Sequence, residues 1–142
     1  MATLGAAISA AASALSAQRT RIEVAVSNMA NAESTKGANG EPYRRRNVLL
    51  APEPVGSFDD ALGQARPSGV QVVGITEDQT PFKRRHDPGH PDADMDGFVS
   101  MPNIDAPEEM VDMMGAARAY QANLAAIGMI RELVSKALEL GR

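Results

Sequence analysis

The chain has 142 residues, 44% apolar but only 4% aromatic, with no Cys, no Trp and a formal net charge of −4. Without cysteines there is no disulfide framework, no Cys-ligated zinc site and no catalytic thiol, and an apolar fraction made largely of Ala and Met leaves little bulk for a thick core. Lys plus Arg against Asp plus Glu is +3 −2 over residues 1–36, +7 −11 over 37–107 and +4 −5 over 108–142, so no region is basic enough for phosphate-driven nucleic-acid binding.

Residues 1–36 predict a long helix. Ten of the first 31 residues are Ala, and all nine Pro of the chain lie between 42 and 107, which leaves both ends free of the strongest helix breaker. The apolar run at residues 6–17 precedes the first basic residue, Arg19, which is the wrong order for a cleaved signal peptide. It is also too short to span a bilayer, so no transmembrane segment is expected, and a route out of the cytoplasm would need no cleaved signal. Leu4, Ile8, Leu15, Ile22 and Met29 form a heptad stripe with Ala11, Gln18 and Ala25 between them, widened by Val26. Small residues at alternate seam positions suit a helix lying close to partner helices. The helix should end near Asn31, before Gly37 and Gly40.

The middle segment, 37–104, holds eight Pro and eight Gly and predicts a small hairpin and loop domain. Short strands are expected at 43–50, 70–76 and 98–101, with loops at Pro52, Pro54 and the Asp59-Asp60 segment. Three short strands need the helices or another subunit to persist in water. The triplets Arg44-Arg45-Arg46 and Lys83-Arg84-Arg85 read as solvated strand ends or subunit contacts. Asp92, Asp94, Asp96 and Gly97 reproduce positions 1, 3, 5 and 6 of a calcium loop, yet Asn103 stands where the bidentate Glu belongs and no helix leads in. The three carboxylates are the weak metal candidate of this chain, set against a plain Asp and Gly turn. His86 and His90 have the spacing of a helical zinc pair, but Pro88, Gly89 and Pro91 forbid the helix. No nucleophile elbow, phosphate loop or placed carboxylate pair is present, so no catalytic residue and no cofactor are assigned.

The last segment, 105–142, opens with Asp105-Ala-Pro-Glu108, suited to an N-cap with Pro in the first turn. A second seam runs Met110, Ala117, Leu124, Arg131, Leu138, interleaved with Met113, Tyr120, Ile127 and Val134, and Gly141 supplies the stop. At 1.5 Å per residue the two helices would be roughly 42 and 50 Å long. A second apolar set, Met114, Ile130, Leu133 and Ala137, gives this helix more apolar surface than one antiparallel partner can cover. The fold expected is mainly α with a small β region: long N- and C-terminal helices pairing as an antiparallel coiled coil around a short Pro/Gly-rich middle.

Several stretches resemble the bacterial flagellar basal-body rod proteins. The resemblance is carried by Ser13-Ala-Leu-Ser-Ala-Gln-Arg-Thr-Arg21 followed by Ser27-Asn-Met-Ala-Asn-Ala32. It continues in His90-Pro-Asp-Ala-Asp94, Gly97-Phe-Val and Pro102-Asn103, and in Glu109-Met-Val-Asp-Met113 leading to Ala117-Arg-Ala-Tyr-Gln-Ala-Asn123. Within the family the chain is most similar to the proximal rod members. The resemblance implies a non-catalytic structural subunit, exported unfolded through the type III channel and assembled helically into the hollow, torque-transmitting rod that crosses the periplasm. Implied partners are copies of itself, other proximal and distal rod subunits, the rod-to-ring adaptor, the export gate and the surrounding ring proteins. Asn28, Asn31 and Asn123 fall on the family motifs; the first two would close the first helix, with amides bonded to backbone there or across to a neighbour. Gln121 stands where relatives often carry Glu. A calcium-stabilised binding module on Asp92, Asp94 and Asp96, and a cytoplasmic helical adaptor, are the alternatives.

Overall fold

A computed structural model of the chain describes residues 2–37, 39–53 and 69–140. Pro54, the Asp59-Asp60 segment and Gly141 lie outside the described residues.

Helix α1 covers Ala2–Ala30, 29 residues. It stops where predicted, because the Asn31 amide nitrogen donates to the carbonyls of both Ser27 and Asn28, and the Asn31 side chain donates to Ser27 O at 2.8 Å. The side chain thus adds a second, shorter hydrogen bond to a carbonyl of the last turn. Helix α2 covers Ala106–Leu140, 35 residues. Asp105 opens it: its carbonyl accepts the first helical bond from Glu109 N at 3.0 Å, the role of an N-cap carbonyl. The helices pack antiparallel. Asn28, near the end of α1, bonds Glu109 in the first turn of α2, and Arg19 lies within electrostatic reach of Tyr120.

Between the helices the chain makes two separate antiparallel ribbons. β1 (Arg46–Pro52) pairs with β2 (Val70–Glu77), and β3 (Lys83–His86) pairs with β4 (Phe98–Met101). In the first ribbon the register shifts between Leu49 and Leu50, which pair with Gly74 and Val72 and leave Val73 as the extra residue of a β-bulge. This ribbon lies along α1, tied there by Ser13, whose hydroxyl accepts from Val70 N at 3.0 Å and donates to Ala10 O at 2.8 Å. β1 begins at Arg46 rather than at Tyr43, because Tyr43 and Arg45 are engaged with the helices. β3 has no counterpart among the strands expected from the sequence: its four residues, Lys83, Arg84, Arg85 and His86, are all exposed and show no apolar alternation.

The core is small. Ala17, Ala25 and Ala116 are buried, one set of small side chains on each helix, and Val99, Met101 and Ile104 are buried where β4 runs into α2. Among the described residues no helix is long and apolar enough to cross a membrane.

Candidate functional site

The junction of α1, β1 and α2 is a buried polar cluster. Asn28 is 1% exposed and Glu109 2% exposed, and each is satisfied. The Asn28 amide nitrogen donates to Glu109 Oε2 and to the Arg46 carbonyl, both at 2.9 Å. Its oxygen accepts from Arg46 N at 3.0 Å and from the Tyr43 hydroxyl at 3.2 Å. Asn28 therefore treats the backbone of Arg46 as a neighbouring strand would, with one bond given and one taken. The other carboxylate oxygen of Glu109 accepts from Arg45 Nε, and Arg45 also lies 3.6 Å from both Glu108 and Asp112. Burial pulls the Arg45 pKa down, but the hydrogen bond and charge of Glu109, with Glu108 and Asp112 behind them, outweigh it and raise the net value. A small polar cavity of about 120 Å³, lined by Arg21, Val24, Arg46, Asn47 and Asp112 among others, opens beside the cluster.

Asn103 extends this junction to the second ribbon. Its side-chain oxygen accepts from Arg45 N at 2.9 Å, while its nitrogen donates to the Thr80 hydroxyl at 2.7 Å. The residue that broke the calcium-loop pattern is thus a clamp on backbone. Sequence reasoning missed Glu109 and Arg45 as a pair, since they stand 64 positions apart. The available signal was that both fall in stretches quoted for other reasons: a basic triplet and the opening of a family motif.

The acidic turn is built from the same residues that suggested calcium. Asp94 Oδ1 accepts from Phe98 N at 2.8 Å and Asp96 N at 3.0 Å, and its other oxygen bonds Arg84 at 2.7 Å. Those backbone hydrogen bonds, followed by Arg84, hold the Asp94 carboxyl below its ordinary value. Asp92 is held down in the same sense, first by the Thr35 hydroxyl and then by Lys36. Gly97 takes φ +77°, and a Cβ there would meet Pro88 Cβ at 3.1 Å, so the turn requires glycine. Among the described residues no group of three or more His, Cys, Asp or Glu is placed to hold a metal ion. His86 packs edge-on against Phe98, centroids 5.0 Å apart. The basic triplets are largely engaged within the chain: Arg44 over the Phe82 ring, Arg46 with Glu77, Arg85 with Glu33 and Asp87, and Lys83 on the Ile104 carbonyl.

The candidate seam residues divide between two environments. On α1, Ile8, Leu15, Ile22 and Met29 are half-buried, while Leu4 and Val26 are exposed. On α2 the less exposed row is Glu109, Met113, Ala116, Tyr120, Asn123, Ile127, Ile130 and Val134. Met113, Tyr120, Ile127 and Val134 therefore stand on this row, and Ala117 is half-buried at its flank. Met110, Leu124 and Leu138 are exposed in the single chain, Leu124 at 55%. The inward companions Glu109, Ala116, Asn123 and Ile130 are one position earlier than the sequence seam. Asn123 donates to Ala119 O at 2.8 Å, back into its own helix.

These two helices are also where the chain matches known families. Residues 8–38 match the family described as "Flagella basal body rod protein", and residues 95–140 match "Flagellar basal body rod FlgEFG protein C-terminal". The chain is 44% identical over 132 residues to the flagellar basal-body rod protein FlgC of Salmonella typhimurium, covering 93% of each. It is 41% identical over 145 residues to FlgC of Bacillus subtilis, covering 95% of this chain and 96% of that one. FlgC of Borreliella burgdorferi is 37% identical over 147 residues, 94% of each. With paired terminal helices, small ribbons between them and likeness along nearly its whole length, the chain belongs to the FlgC family of flagellar basal-body rod proteins.

Proposed function

We propose that this member of the rod family is a subunit of the proximal rod, delivered by type III export and built into a helical, hollow, torque-transmitting shaft. Its partners in this reading are further copies of itself and other proximal and distal rod subunits, with the rod-to-ring adaptor, the export gate and the surrounding rings as neighbours. The observation that carries the reading is the apolar surface left on α2: Met110, Leu124, Met129, Leu133, Leu138 and Leu140 are all exposed. Met129, Leu133 and Leu140 share one side of the helix and Met110 and Leu124 another. Exposed apolar side chains on a helix mark binding faces, and α2 lies within a matched rod-family segment. Leu4, Val26, Met110, Leu124 and Leu138 would be covered by neighbouring subunits, and Ile8, Leu15, Ile22, Met29, Met113, Ala117, Tyr120, Ile127 and Val134 would complete the helix-pair interface.

Burying one large apolar side chain contributes about 1.5 to 3 kcal/mol, and a helical polymer repeats each contact in every subunit. Leu124→Ala should therefore leave the melting temperature of the purified chain within about 2 °C of wild type, yet abolish motility and strip the protein from detergent-extracted basal bodies. Motility retained in a strain carrying a clean deletion of the gene would sink the proposal.

A further inference from the structure

The contact between α1 and α2 is chemically repetitive. The buried apolar residues of the two helices are all alanines, Ala17, Ala25 and Ala116. If α2 slid by one heptad, about 10 Å along the axis, Tyr120 would take the place of Met113, Ile127 that of Tyr120 and Val134 that of Ile127. Each is an exchange between apolar side chains of middling or large size, and Asn123, moved to the place of Ala116, carries its own bond to Ala119 O. Apolar packing separates these registers weakly.

The polar cluster separates them strongly. Of the four side-chain hydrogen bonds of Asn28, three go to Arg46 and Tyr43, and the fourth, 2.9 Å to Glu109, reaches α2 and closes only when Glu109 stands opposite Asn28. In a slipped register the Glu109 carboxylate would leave both Asn28 and Arg45, and an ion stripped of its partners in a buried place is heavily disfavoured. A single polar residue in an otherwise apolar seam specifies register for the same reason.

We infer that the Asn28–Glu109 hydrogen bond, braced by Arg45, is a register-setting latch. It fixes which residues of α1 face which of α2, and hence the rotation at which the exposed apolar side chains of α2 are presented. Asn28 and Glu109 are positioning residues in this scheme. The inference concerns the single chain and does not depend on the rod assignment.

The test exchanges the two groups across the bond. Asn28→Asp sets two carboxylates against each other, whereas Asn28→Asp combined with Glu109→Gln restores one donor and one acceptor across the 28–109 bond. The bond from position 28 to the Arg46 carbonyl is lost in both variants, so their difference reads the 28–109 bond. In the double variant the amide introduced at position 109 gives a hydrogen to the carboxylate introduced at position 28, and its oxygen accepts from Arg45. The chain has no Cys, so spin labels on Ser9→Cys and Arg118→Cys, both exposed positions, report the register of the purified full chain by pulsed dipolar spectroscopy. The wild-type background should give one narrow distance. Asn28→Asp should broaden it or displace it by up to about 10 Å, and the double variant should return it. If Asn28→Asp is too unstable to give a distance, its thermal midpoint still decides: the double variant should melt above the single one. An unmoved narrow distance in Asn28→Asp, or a double variant no better than the single one, overturns the latch.

Discussion

Arg45 holds more of the molecule together than its place in a basic triplet suggests. Its guanidinium meets Glu109, Glu108 and Asp112 on α2, and its backbone nitrogen is taken by Asn103. With the Arg45 side chain 16% exposed and that of Glu109 3% exposed, the pair is largely withdrawn from water. Removing one member of such a pair strands the other. Arg45→Met should therefore destabilise the chain by about 3 kcal/mol, read by urea unfolding, while Arg84→Met, on an exposed pair with Asp94, should cost under about 1 kcal/mol. Equal losses from the two would show that burial is not what gives the Arg45 contact its strength.

Among the elements, the turn of the β3–β4 ribbon carries two carboxyls with lowered pKa. Asp94 and Asp92 are held below the ordinary carboxylate value of 3.8 by hydrogen bonds made only when the turn is folded. A carboxylate with a lowered folded pKa stabilises in its charged form, so the contribution is complete above the unfolded value and lost as pH falls through the folded one. The turn should thus be intact from neutral pH down to about 4 and loosen below the ordinary value, seen as collapse of the Asp96 and Phe98 amide shifts toward random coil. Asp94→Asn should remove most of that acid transition. This ribbon is also the element least legible in the sequence. Lys83 to His86 alternates nothing apolar, and its strand is held by Arg84 on Asp94 and by pairing to Phe98–Met101, contacts that no local pattern announces. The long helices were legible because their signals are local: Ala content, absent Pro, and an Asp105 start. Their relative rotation was not, since the contacts of Glu109 with Arg45 and Asn28 join residues 64 and 81 positions apart.

At the scale of the whole molecule, tightness and exposure are divided by place. Ala116 is 0% exposed, so a larger side chain there has nowhere to go. Ala116→Leu should destabilise the isolated chain by about 1 to 3 kcal/mol through overpacking, measured by thermal unfolding, the opposite pattern to the exposed Leu124. The first ribbon carries a feature that bears on edge-to-edge pairing of copies. Val70-Gln-Val-Val-Gly-Ile75 is β-branched, uncharged and free of Pro, the composition of strands that stack edge to edge into aggregates. Val73, the extra residue opposite Leu49 and Leu50, interrupts the ladder and strengthens the local twist. A kinked, twisted edge is a poor template for a second strand. A bulge in this strand thus disfavours the one kind of association that would bury β2 against a second copy and leave the exposed faces of the helices uncovered.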